Sequence, residues 1–198
     1  MKRFLSILLA LALALTLGIP ALAAEHRAGD TYIRILGSSG ARTVGVRTTY
    51  GAYRQTADGA VYRDDRYEFV YTDDGVSWVS AGAAESSLGS GMYDGTQFLA
   101  GPFGSERPTW CSADGGHWTA LTPEEQDTAP AIQRGRSSLN GLTFTLRGGR
   151  ELWVTDGQGR AVELTADFTS FLASYDMADV QAYPVPQGIR VEGYSRYG

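Results

Sequence analysis

The sequence predicts an all-β domain of about four antiparallel four-stranded blades, arranged as a small propeller-like array, with a β-sandwich as the alternative. Three observations predict it: glycine and tyrosine are frequent, Asp-Gly and Asn-Gly pairs recur, and two series of such pairs repeat about every 40 residues. The 198 residues include 25 glycines and 11 tyrosines, and 43% are hydrophobic. This composition suits a turn-rich globular β protein and argues against a disordered chain.

The N-terminal segment predicts a secretory signal peptide over residues 1–23. Two basic residues precede an apolar run at 4–17, and small residues at 21–23 supply a cleavage pattern. The run is too short for a stable membrane anchor. We therefore expect a secreted protein with one mature domain over residues 24–198 and no membrane insertion after cleavage.

Charge and cysteine content narrow the classes of partner. Cleavage removes two bases and no acid, which changes the formal net charge from −5 to −7. An acidic domain without a basic cluster repels phosphate backbones, so nucleic acid is not an expected partner. Cys111 is the only cysteine, which excludes an intrachain disulfide and predicts a small buried residue there.

One series of turns repeats with little change. Residues 71–78 read YTDDGVSW and residues 111–118 read CSADGGHW, so that Trp78 aligns with Trp118 without gaps. A third, weaker copy at 153–160 reads WVTDGQGR. Such Asp-Gly pairs favour tight hairpins because their residues accept positive φ.

A second series lies between the members of the first and has the form Asp/Asn-Gly-x-x-aromatic. Its members are Asp58-Gly59, Asp94-Gly95 and Asn140-Gly141. Two hairpin turns in a unit of about 40 residues describe a four-stranded meander, the size of a propeller blade. The mature length corresponds to about four such units.

The segments outside these series complete the expected architecture. Strand character at 31–35 and 43–46 could close the array, and 187–191 resembles a further hairpin turn with its strand. Residues 122–139 are almost entirely polar or small and predict a long loop. Residues 166–179 place apolar side chains at helical spacing and predict a short helix.

The first turn resembles the Asp-box, or bacterial neuraminidase repeat, with the pattern Ser/Thr-x-Asp-x-Gly-x-Thr-Trp. The matching residues are Asp73, Gly75, Ser77 and Trp78 in the first copy, and Gly115 and Trp118 in the second. The resemblance implies a propeller-like fold in which the boxes lie at the blade periphery. It also implies that the box aspartate accepts turn amides and that the tryptophan packs between sheets. Asp73, Trp78, Asp114 and Trp118 are therefore expected to support the fold rather than the function.

Sialidases carry such boxes and supply the alternative function, a glycoside hydrolase of reduced size. Ile33-Arg34-Ile35-Leu36 is similar to their Arg-Ile-Pro motif, whose arginine holds the substrate carboxylate, although Leu36 replaces the proline. Those enzymes also need two further arginines, an acid, and a tyrosine with its glutamate, drawn from six blades. Arg34 in a cleft with arginines and an acid would favour the enzyme. An ion-paired or buried strand arginine would favour a structural role.

The remaining chemistry-bearing residues predict no catalytic, cofactor or metal site. A glycosidase needs two carboxyl groups facing each other across a cleft, whereas neighbours on a strand point to opposite faces. The acidic doublets are Asp64-Asp65, Asp73-Asp74 and Glu124-Glu125. The two histidines, His26 and His117, stand far apart in the sequence and form no metal-binding pattern.

The sequence thus predicts an exported, non-enzymatic binding or interaction domain. Its abundant tyrosine and tryptophan suit glycans or a surface protein as partners. The loop that carries Arg134 and Arg136 is expected to project from one end of the array, where binding residues concentrate. The residues leave the oligomeric state open.

Overall fold

The computed structural model describes residues 26–162 and 176–195, so the predicted signal peptide lies outside the described residues. The predicted helix at 166–179 also lies outside them up to residue 175. Its last three residues begin strand β14 (Met177–Val185), so the helix prediction was wrong there. Antiparallel pairing with the following strand outweighs the helical spacing of the apolar side chains.

The described chain is built from antiparallel strands, and the all-β prediction is confirmed. In chain order the strands are β1 (Thr31–Ser39), β2 (Arg42–Thr49), β3 (Tyr53–Gln55), β4 (Val61–Arg63), β5 (Arg66–Thr72), β6 (Val79–Ala83), β7 (Leu88–Tyr93), β8 (Phe98–Pro102), β9 (Trp110–Ser112), β10 (Thr119–Ala120), β11 (Arg136–Leu139), β12 (Leu142–Arg147), β13 (Glu151–Thr155), β14 (Met177–Val185) and β15 (Gly188–Ser195). One short helix, α1 (Pro123–Thr128), precedes β11.

The prediction of a loop over 122–139 was wrong at both ends of that segment. Helix α1 begins at a capping box in which the Thr122 hydroxyl accepts from the Glu125 amide and the Glu125 carboxylate accepts from the Thr122 amide. Proline at the first helical position suits the same start. The Thr-Pro-Glu-Glu sequence carried this signal. Strand β11 then forms because it pairs with β12.

The chain divides into two compact units. The described part of the first comprises residues 26–30 and 50–64, with the hairpin β3–β4 around the Asp58-Gly59 turn. Within it an exposed ion pair joins Arg54 Nε to Asp64 Oδ2 at 3.1 Å. The Asp58-Gly59 turn therefore belongs to this inserted hairpin, and the corresponding turn of the main repeat is instead at residues 40–41, between β1 and β2.

The second unit contains four open antiparallel sheets. Sheet 1 has the order β1-β2-β5-β6, sheet 2 β7-β8-β9-β10, sheet 3 β11-β12-β13, and sheet 4 β14-β15. An isolated bridge between Thr155 and Ala161 extends sheet 3 beyond β13. The described residues thus give two of the four sheets the predicted four strands. Open sheets of this kind occur in propellers and in sandwiches.

The first strands of the four sheets pack on one another. Strand β1 contacts β7 and β14, and β11 also contacts β14. Glycine permits the closest approach, because a Cβ on Gly91 of β7 would lie 2.7 Å from Leu36 Cβ. A Cβ on Gly37 would similarly lie 3.0 Å from the Met92 carbonyl carbon. These strands therefore meet backbone to backbone.

Two apolar cores lie between the sheets. The core of sheets 1 and 2 contains Leu36, Val44, Val46, Phe69, Leu88, Phe98 and Ala100. The core of sheets 3 and 4 contains Leu139, Phe144, Leu152, Val154, Met177, Val180 and Ala182. Inward and outward residues alternate most clearly on β11 and β13, which is typical of half-buried strands.

The first repeated turn is organised by Asp74 rather than Asp73. Asp74 Oδ1 accepts from the amides of Val76 and Ser77 at 2.8 and 2.6 Å, and the Thr72 hydroxyl accepts from Gly75 at 3.0 Å. These bonds lower the pKa of the Asp74 carboxyl, the Ser77 amide contributing most. The second turn repeats this pattern.

In the second turn Asp114 Oδ1 accepts from the amides of Gly116 and His117 at 2.8 and 2.9 Å, and the Ser112 hydroxyl accepts from Gly115. Asp73, which the motif alignment placed in the turn role, instead pairs through both carboxylate oxygens with Arg42 at 2.6 Å. Arg42 Nη1 also donates to the Asp114 carbonyl at 2.8 Å. Arg42 therefore links the two turns.

The tryptophans of the two turns differ in their surroundings. Trp118 of sheet 2 stacks on Phe69 of sheet 1, with ring centroids 4.2 Å apart and planes within 6°. Its indole N–H donates to the Gly115 carbonyl at 3.1 Å. Trp78 is half-buried, and its carbonyl accepts a bond from Arg47. The expected packing between sheets is therefore found at Trp118.

Replacing Asp74 by asparagine should destabilise the protein at pH 7 and narrow its difference from wild type in acid. The folded pKa of this carboxyl lies below the usual value of about 3.9. The ionised carboxylate therefore stabilises the folded state fully above the unfolded pKa, and this stabilisation is lost as pH falls through the folded pKa. Urea unfolding of both proteins from pH 7 to pH 2 measures the difference. Asp127→Asn, at an exposed ion pair with Arg107, is the control, and a difference independent of pH would contradict the prediction.

Candidate functional site

The guanidinium of Arg34 contacts two aromatic rings of the second unit. Its guanidinium carbon lies 4.6 Å from the Phe103 ring centroid and 4.4 Å from that of Tyr194. The residue is half-buried, and its Nη1 atom is buried without a hydrogen-bond partner. Leu36, at the position of the family's proline, is fully buried. The two rings hold the guanidinium by cation–π contacts, and its buried Nη1 is left without an acceptor.

A second arginine and an acid lie beside this clamp. Arg134 Nη1 donates to the Gly104 carbonyl at 2.9 Å, next to Phe103 in the same turn. Arg134 Nε lies 3.5 Å from Asp179 Oδ1, and the Asp179 residue is 6% exposed. Asp179 Oδ2 and Arg134 Nε are buried without a hydrogen-bond partner. Arg134 thus folds back onto the sheets rather than projecting as expected.

The hydroxyl group of Tyr194 is held by two hydrogen bonds. Its hydroxyl accepts from the Ile35 amide at 2.9 Å and donates to Glu192 Oε2 at 3.2 Å. Tyr183 donates to the other oxygen of Glu192 at 2.5 Å. Burial, with smaller contributions from nearby acidic groups, raises the pKa of Tyr194 well above its usual value. The phenol is therefore protonated at neutral pH, which suits positioning better than nucleophilic attack.

Other predicted candidates have ordinary structural partners. The Glu125 carboxylate caps α1, with Glu124 in the first turn of that helix. His117 Nδ1 lies 2.8 Å from Asp114 Oδ2, with an almost fully exposed ring. Cys111 is half-buried, and burial raises the pKa of its thiol. Across residues 26–162 and 176–195, no group of three or more His, Cys, Asp or Glu residues could hold a metal ion.

A polar groove that the sequence did not predict lies between β7 and β11. It consists of two adjoining cavities of about 480 and 260 Å3 that share Tyr93 and Ser138. Gln181 lines the larger cavity, and Thr143 lines the smaller. We call this surface the Tyr93 groove. Its lining comes from five strands and the turns and loop beside them, so no local pattern in the sequence marks it.

Searches among protein-family models, curated proteins and solved structures found no match to this chain. In the part of the chain that the structure describes, no helix has the length and apolar character needed to cross a membrane.

Proposed function

We propose that this chain is an exported, non-enzymatic binding domain with a propeller-like array of sheets, and that it binds a carboxylate-bearing glycan at Arg34. The array is supported by the way the repeated turns dock. A Cβ on Gly115 of sheet 2 would lie 2.5 Å from Val44 of sheet 1, and a Cβ on Gly75 of sheet 1 would lie 2.4 Å from the Pro184 carbonyl of sheet 4. Each turn thus packs on a neighbouring sheet, as the turns of adjacent blades do.

The observation that carries the ligand proposal is the buried Arg34 Nη1, which has no hydrogen-bond partner. Several other arginines of the described chain form ion pairs with a carboxylate, among them the bidentate pair of Arg42 and Asp73. The Arg34 guanidinium instead lies against the rings of Phe103 and Tyr194. A guanidinium held in place loses little side-chain entropy when a planar carboxylate binds to its fork.

A sialidase-like hydrolase is the second candidate, because Tyr194 and Glu192 lie next to Arg34. Two features favour binding over hydrolysis. The Tyr194 hydroxyl is occupied by the Ile35 amide and Glu192, and its pKa is raised. Asp179, a buried acid of β14, is paired with Arg134.

Uronic acids and N-acetylneuraminic acid should raise the Tm of the protein. Neutral glucose has no carboxylate to pair with Arg34, so it should give no Tm shift that depends on this residue. At a concentration of about 100 times Kd, a ligand adds about 2.7 kcal/mol, or roughly 5–10 °C in Tm. Arg34→Gln should abolish the shift, since it removes the charge and the fork. Arg160→Gln, which removes a charge from an exposed ion pair, is the matched control and should keep it.

Two results would overturn the proposal in different ways. The carboxylate site is wrong if the Arg34→Gln protein shifts as much as the control, or if no acidic sugar shifts the wild type. Steady release of the aglycone from nitrophenyl glycosides of these sugars, lost in Arg34→Gln, would instead establish the hydrolase.

A further inference from the structure

The Tyr93 groove separates two sheet edges that pair with other strands. Strand β7 is the edge of sheet 2 and pairs with β8, whereas β11 is the edge of sheet 3 and pairs with β12. Gln133 crosses one end, where its amide donates to Met92 Sδ at 3.4 Å. The groove is therefore built into the packing of two sheets rather than into a mobile loop.

The floor of the groove is a fixed carboxamide. Gln181 is 6% exposed, and its Nε2 donates to the Gly91 carbonyl at 3.1 Å. Its Oε1 accepts from the Ser137 hydroxyl at 3.4 Å, and that hydroxyl in turn accepts from the Ala182 amide at 3.0 Å. The side chain is ordered before any ligand arrives, which lowers the entropic cost of binding.

The walls of the groove present neutral hydrogen-bonding groups. The hydroxyl and amide side chains that line its two cavities include those of Ser38, Thr96, Gln133, Ser138, Asn140 and Thr143. Asp94 and Arg136 are the charged side chains among the described lining residues. Asp94 accepts from the Thr96 and Gln97 amides, and Arg136 donates to Gln133. The chemistry of the groove thus suits an uncharged ligand rich in hydroxyl groups.

Tyr93 supplies an apolar surface where the two cavities meet. Its ring is half-buried and packs against Phe98, with centroids 4.9 Å apart and planes tilted by 53°. A fixed aromatic ring surrounded by hydroxyl and amide groups matches a pyranose, which has an apolar C–H face and polar edges. The larger cavity, of about 480 Å3, has the volume of an ordinary ligand site, and the smaller one, of about 260 Å3, lies just below that range. Together they form an elongated surface.

We propose that the Tyr93 groove binds a neutral oligosaccharide of two or more pyranose units. The site is distinct from the Arg34 clamp and does not require a carboxylate on the ligand. Tyr93 provides the stacking surface, while Gln181 and Ser138 provide hydrogen bonds to sugar hydroxyls.

Calorimetric titration and NMR test the proposal with cellobiose, xylobiose, maltotriose and N,N′-diacetylchitobiose. At least one should bind with a Kd of about 1 mM or tighter and shift the side-chain amide resonances of Gln181. Ser138→Trp fills the groove from an exposed strand position and should weaken binding at least tenfold. Ser86→Trp, on an exposed loop, is the matched control and should bind normally. Tyr93→Phe keeps the ring and removes only the hydroxyl, so it should weaken binding by no more than about tenfold.

Several results would overturn this inference. These are the absence of binding by all four sugars, binding that survives in Ser138→Trp, or binding of a neutral Gly-Ser hexapeptide in preference to the sugars. Binding by these neutral sugars in the Arg34→Gln protein would support the groove even if the carboxylate site failed. The outcomes for the two sites are therefore separable.

Discussion

Replacing Gly115 by alanine should lower the free energy of unfolding by about 3 kcal/mol. Gly115 has φ of 75°, and its missing side chain leaves room for Val44, which is fully buried in sheet 1. A Cβ there would lie 2.5 Å from Val44 Cγ1 and 3.3 Å from Arg42 Cδ. The left-handed conformation costs about 1–2 kcal/mol for alanine, and overpacking a filled core adds about 1–3 kcal/mol.

Gly159→Ala separates these two contributions. Gly159 has φ of 77°, and a Cβ there would have nothing within 4 Å. It should therefore cost only the conformational share, about 1–2 kcal/mol. Unfolding of both variants in guanidinium chloride measures the difference in their free energies of unfolding, provided that their m-values are equal. Equal losses in Gly115→Ala and Gly159→Ala would mean that the second turn does not press on sheet 1.

The hairpin turns were predictable because their requirement is local. Asp-Gly and Asn-Gly pairs supply positive φ wherever the chain reverses, and Asn140 with Gly141 connects β11 to β12 at φ of 51° and 77°. The turn at Asp58 was found but assigned to the wrong hairpin. Sequence spacing does not reveal that residues 50–64 form a separate hairpin between β2 and β5.

The sequence also contained enough information to decide whether Asp73 or Asp74 accepts the turn amides. The gapless alignment already paired Asp74 with Asp114, whereas the motif pattern favoured Asp73. The structure follows the alignment, because hydrogen bonds to the turn amides depend on distance from the turn glycine. The internal repeat was therefore a better guide than the family pattern at this position.

The two candidate sites depend on contacts that no local pattern records. Arg34 attracted attention through its neighbours in sequence, but its rings come from Phe103, in the turn after β8, and from Tyr194 of sheet 4. The Tyr93 groove arises because β7 and β11 belong to different sheets. Both follow from how sheets pack, which sequence periodicity does not determine.

Replacing Phe69 by alanine should cost about 3–5 kcal/mol, the usual range for a buried aromatic residue. Phe69 is fully buried and contacts two rings of sheet 2, Trp118 by stacking at 4.2 Å and Trp110 at 5.4 Å. Phe69→Ala and Trp118→Ala should each lose part of the same free energy, since either substitution removes the stacked pair. Trp153 is 40% exposed on sheet 3, so Trp153→Ala should lower the free energy of unfolding much less.

A double-mutant cycle shows whether this contact couples sheets 1 and 2. If it does, Phe69→Ala and Trp118→Ala together should cost about 0.5–3 kcal/mol less than the sum of the single variants, as residues in contact do. Phe69→Ala combined with Trp153→Ala should be additive, because Phe69 is buried between sheets 1 and 2 whereas Trp153 lies exposed on sheet 3. Additivity of Phe69 with Trp118 would mean that the second repeated turn is held by Gly115 and Arg42 alone. Coupling at Phe69 would instead make the turn tryptophan an anchor between neighbouring sheets, the role that a repeat array requires of it.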